Sequence, residues 1–139
     1  ASMKRFVKNF PRLPESVRSR LTLENDDKAS MYSVKDLYYG IYKEIGIPIV
    51  FDYHHHQFCT GGMSEQEALE MALSTWGDIK PVTHYSESRR DEQKDETIRV
   101  QAHSDYVYNK IEMYGNDFDI MVEAKAKELA VDKYLQLHS

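Results

Sequence analysis

Four short apolar segments, separated by stretches of helical periodicity, constrain this chain more than any other feature of its 139 residues. They are Leu21-Thr22-Leu23, Ile47-Pro48-Ile49-Val50-Phe51, Pro81-Val82-Thr83 and Ile120-Met121-Val122. Each is apolar or β-branched and bounded by turn residues, the pattern of a strand buried in a parallel sheet. After the first, Ser33 and Asp36 read as an N-cap and its first-turn acid. Val34, Leu37, Tyr38, Ile41 and Ile45 then recur at helical spacing, and Gly46 stands where a helix stops. After the second, Ser64-Glu65-Gln66-Glu67 reads as a capping box. It opens a helix with Ala68, Leu69, Ala72 and Trp76, ended by Gly77. A helix over 124–137 follows the fourth segment, with Leu129, Ala130 and Leu137 on one side. Another precedes the first segment, with Phe10, Leu13 and Val17 facing inward. The stretch 87–96 is polar without an apolar period and is expected to be an exposed, mobile loop.

Strands alternating with helices form right-handed β-α-β units and a parallel sheet. Four such units are about half of an eight-stranded barrel, which takes roughly 250 residues. The expected fold class is therefore α/β: over 1–139, parallel (β/α) units making about half of a TIM barrel. A free-standing four-stranded α/β sandwich is the alternative. A half-barrel leaves two strand edges and apolar surface open, so closure by twofold self-association is expected. Ala1-Ser2, ahead of Met3, reads as a cloning remnant.

No apolar run approaches the roughly 20 residues that span a bilayer, so no membrane partner is expected. Cys59 is the single cysteine, which excludes an internal disulfide framework. It points to a reducing, intracellular compartment, the cytoplasm of a bacterium or the nucleus of a eukaryote. The net charge of −5 runs against a simple nucleic-acid binder, which needs basic surface to neutralise phosphates.

The chemistry lies at the strand ends. The four segments run into Glu24, Asp52, His84 and Glu123. Active sites of parallel α/β folds gather at the carboxyl ends of the strands. One acid after a strand usually caps the next helix; four metal-binding side chains from four strands make a set. His55 follows Asp52 by three residues, and His103 follows the third strand. Read singly, His54-His55-His56 is as well a polar loop, and His103 a residue at a helix start. Together these are three carboxylates and three or four imidazoles, a mixture that suits Mn²⁺, Zn²⁺ or Fe²⁺ better than Ca²⁺. Cys59 fits no ligand pattern, which argues against a zinc finger. The 10 tyrosines read as packing residues, with Tyr53 and Tyr85 set apart because they adjoin proposed ligands.

Five blocks resemble the motifs of the UV damage endonuclease family, in that family's order. They are Arg20-Leu21-Thr22-Leu23-Glu24-Asn25-Asp26-Asp27, Pro48-Ile49-Val50-Phe51-Asp52-Tyr53-His54-His55-His56, Thr83-His84-Tyr85-Ser86-Glu87, Ala102-His103-Ser104-Asp105-Tyr106-Val107 and Asp119-Ile120-Met121-Val122-Glu123-Ala124-Lys125. The resemblance runs from about Phe10 to Leu129 and corresponds to the C-terminal half of the family's barrel. It implies a barrel similar to endonuclease IV, up to three divalent metals, usually Mn²⁺ with Zn²⁺ or Mg²⁺ as alternatives, and damaged double-stranded DNA as substrate. The implied activity is incision of the backbone immediately 5′ to a lesion, including both major UV photoproducts. By the same resemblance Glu24 and Glu123 are bridging carboxylates, Asp52 and His84 complete the central metals, and His55 and His103 bind a further one. These six are the implied metal ligands, with Glu24, Asp52, His84 and Glu123 the catalytic set. Asn25, Tyr85 and Lys125 are implied substrate contacts, and Arg89, Arg90 and Lys94 are candidates to meet phosphates.

Two departures qualify the match. Family members often carry a lysine two residues before the strand-end histidine; here that position is Val82, and Lys80 lies in another strand phase. The family's further N-terminal strands, with their additional histidine ligands and lesion-probing residues, have no counterpart in these 139 residues. The isolated chain is accordingly expected to be inactive or weak. Two competing readings are another divalent-metal (β/α)-barrel enzyme, such as a sugar isomerase, and a non-catalytic assembling fragment.

Overall fold

The computed structural model describes residues 2–139; Ala1 lies outside them, and Ser2 opens the first helix. Four parallel strands form one sheet: β1 (Leu23–Glu24), β2 (Ile49–Asp52), β3 (Val82–Tyr85) and β4 (Asp119–Val122). Their order across the sheet is β1-β2-β3-β4, the order along the chain. A sheet that adds each new strand on the same side is singly wound, as a barrel is, whereas a doubly wound sheet reverses direction. The expected parallel (β/α) units are thus present, with strands where the apolar segments placed them. β1 is cut to two residues, and Glu123 lies one residue beyond β4.

The helices follow from local chemistry. α1 (Ser2–Asn9) and α2 (Glu15–Arg18) precede the sheet. α3 (Val34–Leu37) opens at Ser33, whose Oγ accepts from the Asp36 amide at 3.2 Å while the Ser33 amide donates to Asp36 Oδ2 at 3.1 Å. It widens through a π-helical turn, Tyr38–Tyr42, into α4 (Lys43–Ile45), which stops at left-handed Gly46 (φ 73°). That wide turn contains Gly40, and Met3 of α1 lies against it: a Cβ at position 40 would sit 2.6 Å from the Met3 sulfur. α5 (Tyr53–His56) follows β2 directly. α6 (Glu65–Leu73) has the Ser64/Glu67 capping box, and Trp76 lies just past it in the 3₁₀ turn Ser74–Trp76. α7 (Arg89–Gln93) and α8 (Glu128–His138) complete the chain.

Strand periodicity sends Ile49 and Phe51 to the helix-covered face. There they pack with Val34, Leu37, Ile41, Ala68, Leu69 and Ala72, all buried. Truncating a buried ring such as Phe51 costs about 3–5 kcal/mol, a large share of the roughly 5–15 kcal/mol that holds a domain folded.

Three expectations need correction. Phe10 and Leu13 are half-buried, but Val17 is 41% exposed and does not face the core. The last helix begins at Glu128, because Ala124 accepts from the Lys127 amide in a turn (3.0 Å); on it Ala130 is buried while Leu129 and Leu137 are exposed. The 87–96 stretch is an anchored structure containing α7. Glu87 accepts from the amides of Tyr108 and Asn109, and Glu92 from those of Asp105 and Tyr106, at 2.8–3.1 Å. Acids that read as solvated are backbone clamps for the segment that follows.

Met121 of the edge strand β4, on the face opposite the helices, and Leu129, Leu135 and Leu137 of α8 are each more than half exposed. An open edge next to apolar surface favours pairing with another chain. The isolated chain is therefore expected to self-associate at micromolar concentration; sedimentation as a clean monomer would refute this.

Candidate metal centre

Register brings the strand-end residues together. Asp52 pairs with His84 across β2 and β3, and His84 pairs with Met121 of β4. Glu123 lies two residues past Met121, and Glu24 pairs with Val50, two residues before Asp52. Positions two apart share a face, so all four side chains project from the face opposite the core. One donor atom from each of Glu24, Asp52, His84 and Glu123 lies within 4.8 Å of the others.

His84 Nδ1 hydrogen-bonds to Glu24 and lies 3.4 Å from Glu123 Oε1. Asp52 has two roles. Its Oδ1 caps α5 by accepting from the His55 amide at 2.9 Å. Its Oδ2 is buried and has no hydrogen-bond partner. His55 reaches the same place: its Nε2 is 3.6 Å from Asp52 Oδ2, and its Nδ1 is 2.7 Å from the Asn25 carbonyl and 3.9 Å from Glu24 Oε1. The neighbouring histidines point elsewhere, because successive helical residues are turned by about 100°. His54 packs its ring between Phe58 and His103, and His56 lies against Phe51.

The electrostatics follow from burial and proximity. Burial pushes the Asp52 carboxyl up to about 7, with the His55 amide and ring opposing. Burial would also raise Glu24, but the hydrogen bond and charge of His84 and the charge of His55 outweigh it and hold that carboxyl low. The hydrogen bond to Glu24 raises His84 against its desolvation. Burial would lower His55, but Asp52, the Asn25 carbonyl and Glu24 raise it. Among the described residues no lysine or arginine pairs with these carboxylates. A buried carboxylate oxygen without a partner, beside two more carboxylates and two imidazoles, suits a divalent cation.

A family model described as UV-endonuclease UvdE matches residues 1–139, the whole chain. The chain belongs to the UV-endonuclease UvdE family. It is 39% identical over 137 residues to the UV-damage endonuclease of Schizosaccharomyces pombe, covering 94% of this chain and 22% of that protein. It is 33% identical over 140 residues to the UV DNA damage endonuclease of Bacillus mycoides, covering 94% of this chain and 41% of that one. The solved structure titled "Crystal Structure of SacUVDE" superposes with a TM-score of 0.80 at 32% identity, over 98% of this chain and 45% of the other. The chain thus spans less than half the length of these relatives, which accords with a partial barrel.

The remaining residues singled out in this UvdE chain fall into three groups. His103 lies outside the four-residue cluster, in an open groove that also holds Glu123 and exposed Lys125. It is held there by a bridge to Ser88 and by the His54 ring, 6.1 Å away. Tyr85 faces away from the cluster, as the residue after His84 must. It packs on Tyr53 at 5.4 Å and donates to Glu87 at 2.8 Å, while Tyr53 donates to the Glu112 carbonyl. Asn25 is 1% exposed, with its side-chain amide engaged on Asp52, so neither Asn25 nor Tyr85 turns a free polar group toward the cluster.

Val82 shares the face of His84 but brings no donor, and Lys80 pairs with Asp117 and Asp119 instead. Two of the proposed phosphate contacts are also internal. Arg89 pairs with Asp105 at 2.7 Å and Arg90 donates to the Ile98 carbonyl at 2.6 Å, leaving Lys94 exposed. Cys59 is a buried thiol directed at the Met31 carbonyl.

A raised carboxyl holds its proton more tightly folded than unfolded, so the Asp52 charge destabilises the metal-free chain increasingly as pH rises from about 4 to about 7. Asp52→Asn keeps the Oδ1 cap and removes that charge. It is expected to stabilise the metal-free chain by on the order of 1 kcal/mol near about pH 8 while abolishing metal binding. Thermal unfolding with and without Mn²⁺ checks both halves, and unchanged metal binding would sink the assignment.

Proposed function

We propose that the chain carries the metal centre of a metal-dependent DNA repair endonuclease that incises the phosphodiester backbone 5′ to UV photoproducts, with Mn²⁺ as the cation. The observation that carries this reading is the convergence of Glu24, Asp52, His84 and Glu123, in a chain that the UvdE family model matches from end to end. The names of the relatives, UV-damage endonuclease and UV DNA damage endonuclease, supply the activity.

The residues divide the work by position. Glu24 at the end of β1 and Glu123 just past β4 flank His84, and both would help hold the metal. Asp52 supplies its unpartnered oxygen, and His55 turns its Nε2 toward it. His103 lies in the adjoining groove and on this reading would help hold a further cation. Bound divalent cations supply Lewis acidity toward a phosphate and its leaving oxygen.

The groove, of ≈ 930 Å³, is lined by Arg99, Lys125 and Lys127 beside His103 and Glu123. Three cations next to the cluster are suited to a DNA backbone in a chain whose net charge is −5. Since the chain covers 22–41% of the named relatives, incision by the isolated chain is expected to be absent or weak.

A chimaera tests the activity: this chain replaces the matching segment of the Bacillus mycoides relative and is assayed on UV-irradiated duplex. Incision is expected in Mn²⁺ and is lost in Glu24→Gln and Asp52→Asn versions; undiminished cutting by either would refute the assignment. In the same chimaera, Lys125→Ala is expected to weaken DNA binding whatever the sequence. It should also lower the slope of log affinity against log salt by about 0.9; an unchanged slope would remove Lys125 from the phosphate path.

A further inference from the structure

The ladder between β1 and β2 is short: its paired residues are Leu23 with Ile49 and Glu24 with Val50. Beyond it the Asn25 side chain continues the pairing. Its Oδ1 accepts from the Asp52 amide at 2.8 Å and its Nδ2 donates to the Asp52 carbonyl at 3.0 Å. A carboxamide has the donor and acceptor of a peptide group, so Asn25 acts as one more rung where the main chain has turned away. Its backbone contributes as well, because the Asn25 carbonyl faces His55 Nδ1 at 2.7 Å. A carbonyl only accepts, so Nδ1 carries the proton of the neutral ring and Nε2 keeps its lone pair toward Asp52 Oδ2, 3.6 Å away. Asn25 is 1% exposed, with both side-chain atoms occupied.

We propose that Asn25 is a positioning residue of the metal centre. It fixes the Asp52 backbone through its side chain and the His55 tautomer through its carbonyl, so that both donors present lone pairs to one point. The proposal rests on the metal-centre reading above. It also explains why a wholly buried amide follows Glu24 directly: the strand that delivers one ligand holds two others.

β2 offers its own control. At its other end Thr75 Oγ1 accepts from the Ile49 amide at 2.8 Å and donates to the Ala72 carbonyl at 2.6 Å. Thr75 is a buried clamp like Asn25 but lies at the other end of β2, away from the cluster. Mn²⁺ affinity by calorimetry and thermal unfolding are measured on the unaltered chain, Asn25→Ala, Asn25→Ser and Thr75→Val, with Glu24→Gln to show that binding reports the cluster. Loss of an outer partner that orients a ligand typically weakens metal binding about 10- to 100-fold. That loss is expected in both Asn25 variants, with Thr75→Val destabilised but within about twofold of the unaltered affinity, well inside that range. Undiminished affinity in the Asn25 variants overturns the proposal, as does an equal loss in Thr75→Val.

If the unaltered chain takes up no Mn²⁺, or Glu24→Gln binds it undiminished, the metal-centre reading fails. The positioning claim is then decided by the metal-free chain. Long-range ¹H–¹⁵N correlation at alkaline pH is expected to show His55 as the Nδ1–H tautomer that the Asn25 carbonyl selects. The Nε2–H tautomer overturns the proposal.

Discussion

A carboxylate taken out of water at the end of β2 is the constraint around which the rest of the site is arranged. An ionised carboxylate in a protein interior costs several kcal/mol unless it is paired and hydrogen-bonded. Asp52 is fully buried, and only one of its oxygens is satisfied, by the amide that opens α5. The other faces the His55 ring and meets no donor. Behind it, on the opposite face, Ile49 and Phe51 pack β2 into the apolar core with residues of α3 and α6. What remains to neutralise Asp52 is a proton or a cation. The apolar core and the polar cluster are thus two faces of one strand.

Sheet geometry explains the choice of residue on each strand. Neighbouring strands lie about 4.8 Å apart, so the outer two of four would stand roughly 14 Å apart in a flat sheet. Donor atoms of Glu24 on β1 and Glu123 past β4 nevertheless fall within 4.8 Å of each other and of the two between them. Two things close that gap. The sheet curls toward this face, as a closing barrel must. The long carboxylates stand on the outer strands and reach inward, while shorter Asp52 and the ring of His84 occupy the middle. Exchanging Glu24 for Asp would leave the chemistry and lose the reach.

What the amino-acid sequence reveals depends on the range of the interaction. The strands and their terminal donors were legible because apolar runs and turn residues are local signals, and because four donors at four strand ends form a pattern. The caps at Ser33 and Ser64 were legible for the same reason. Glu87 and Glu92 were not, since the amides they hold lie between positions 105 and 109 and nothing local distinguishes a clamp from a solvated acid. Nor was Asn25, whose partner is 27 residues away in sequence. Among His54, His55 and His56, only the start of α5 at Asp52 decides which ring faces the cluster, and a run of three cannot announce that. The outward Leu129 and Leu137 follow from a helix that begins four residues later than its apolar pattern suggests.

The distribution of charge gives the proposed function its sign. A chain of net charge −5 with clustered carboxylates repels a polyanion, and two of its most tempting cations, Arg89 and Arg90, are engaged internally. The remaining cations of interest, Arg99, Lys125 and Lys127, line the groove that adjoins Glu123 and His103. A divalent ion among Glu24, Asp52 and Glu123 would offset most of their negative charge and leave those cations less opposed, although Asp27 and Glu128 share the groove. On the proposed reading metal and DNA therefore favour each other's binding, and a coupling of that kind must be reciprocal. The same acids that make the empty centre unwelcoming to DNA make the loaded centre a place for a phosphate, so the chain's overall acidity does not count against a nuclease.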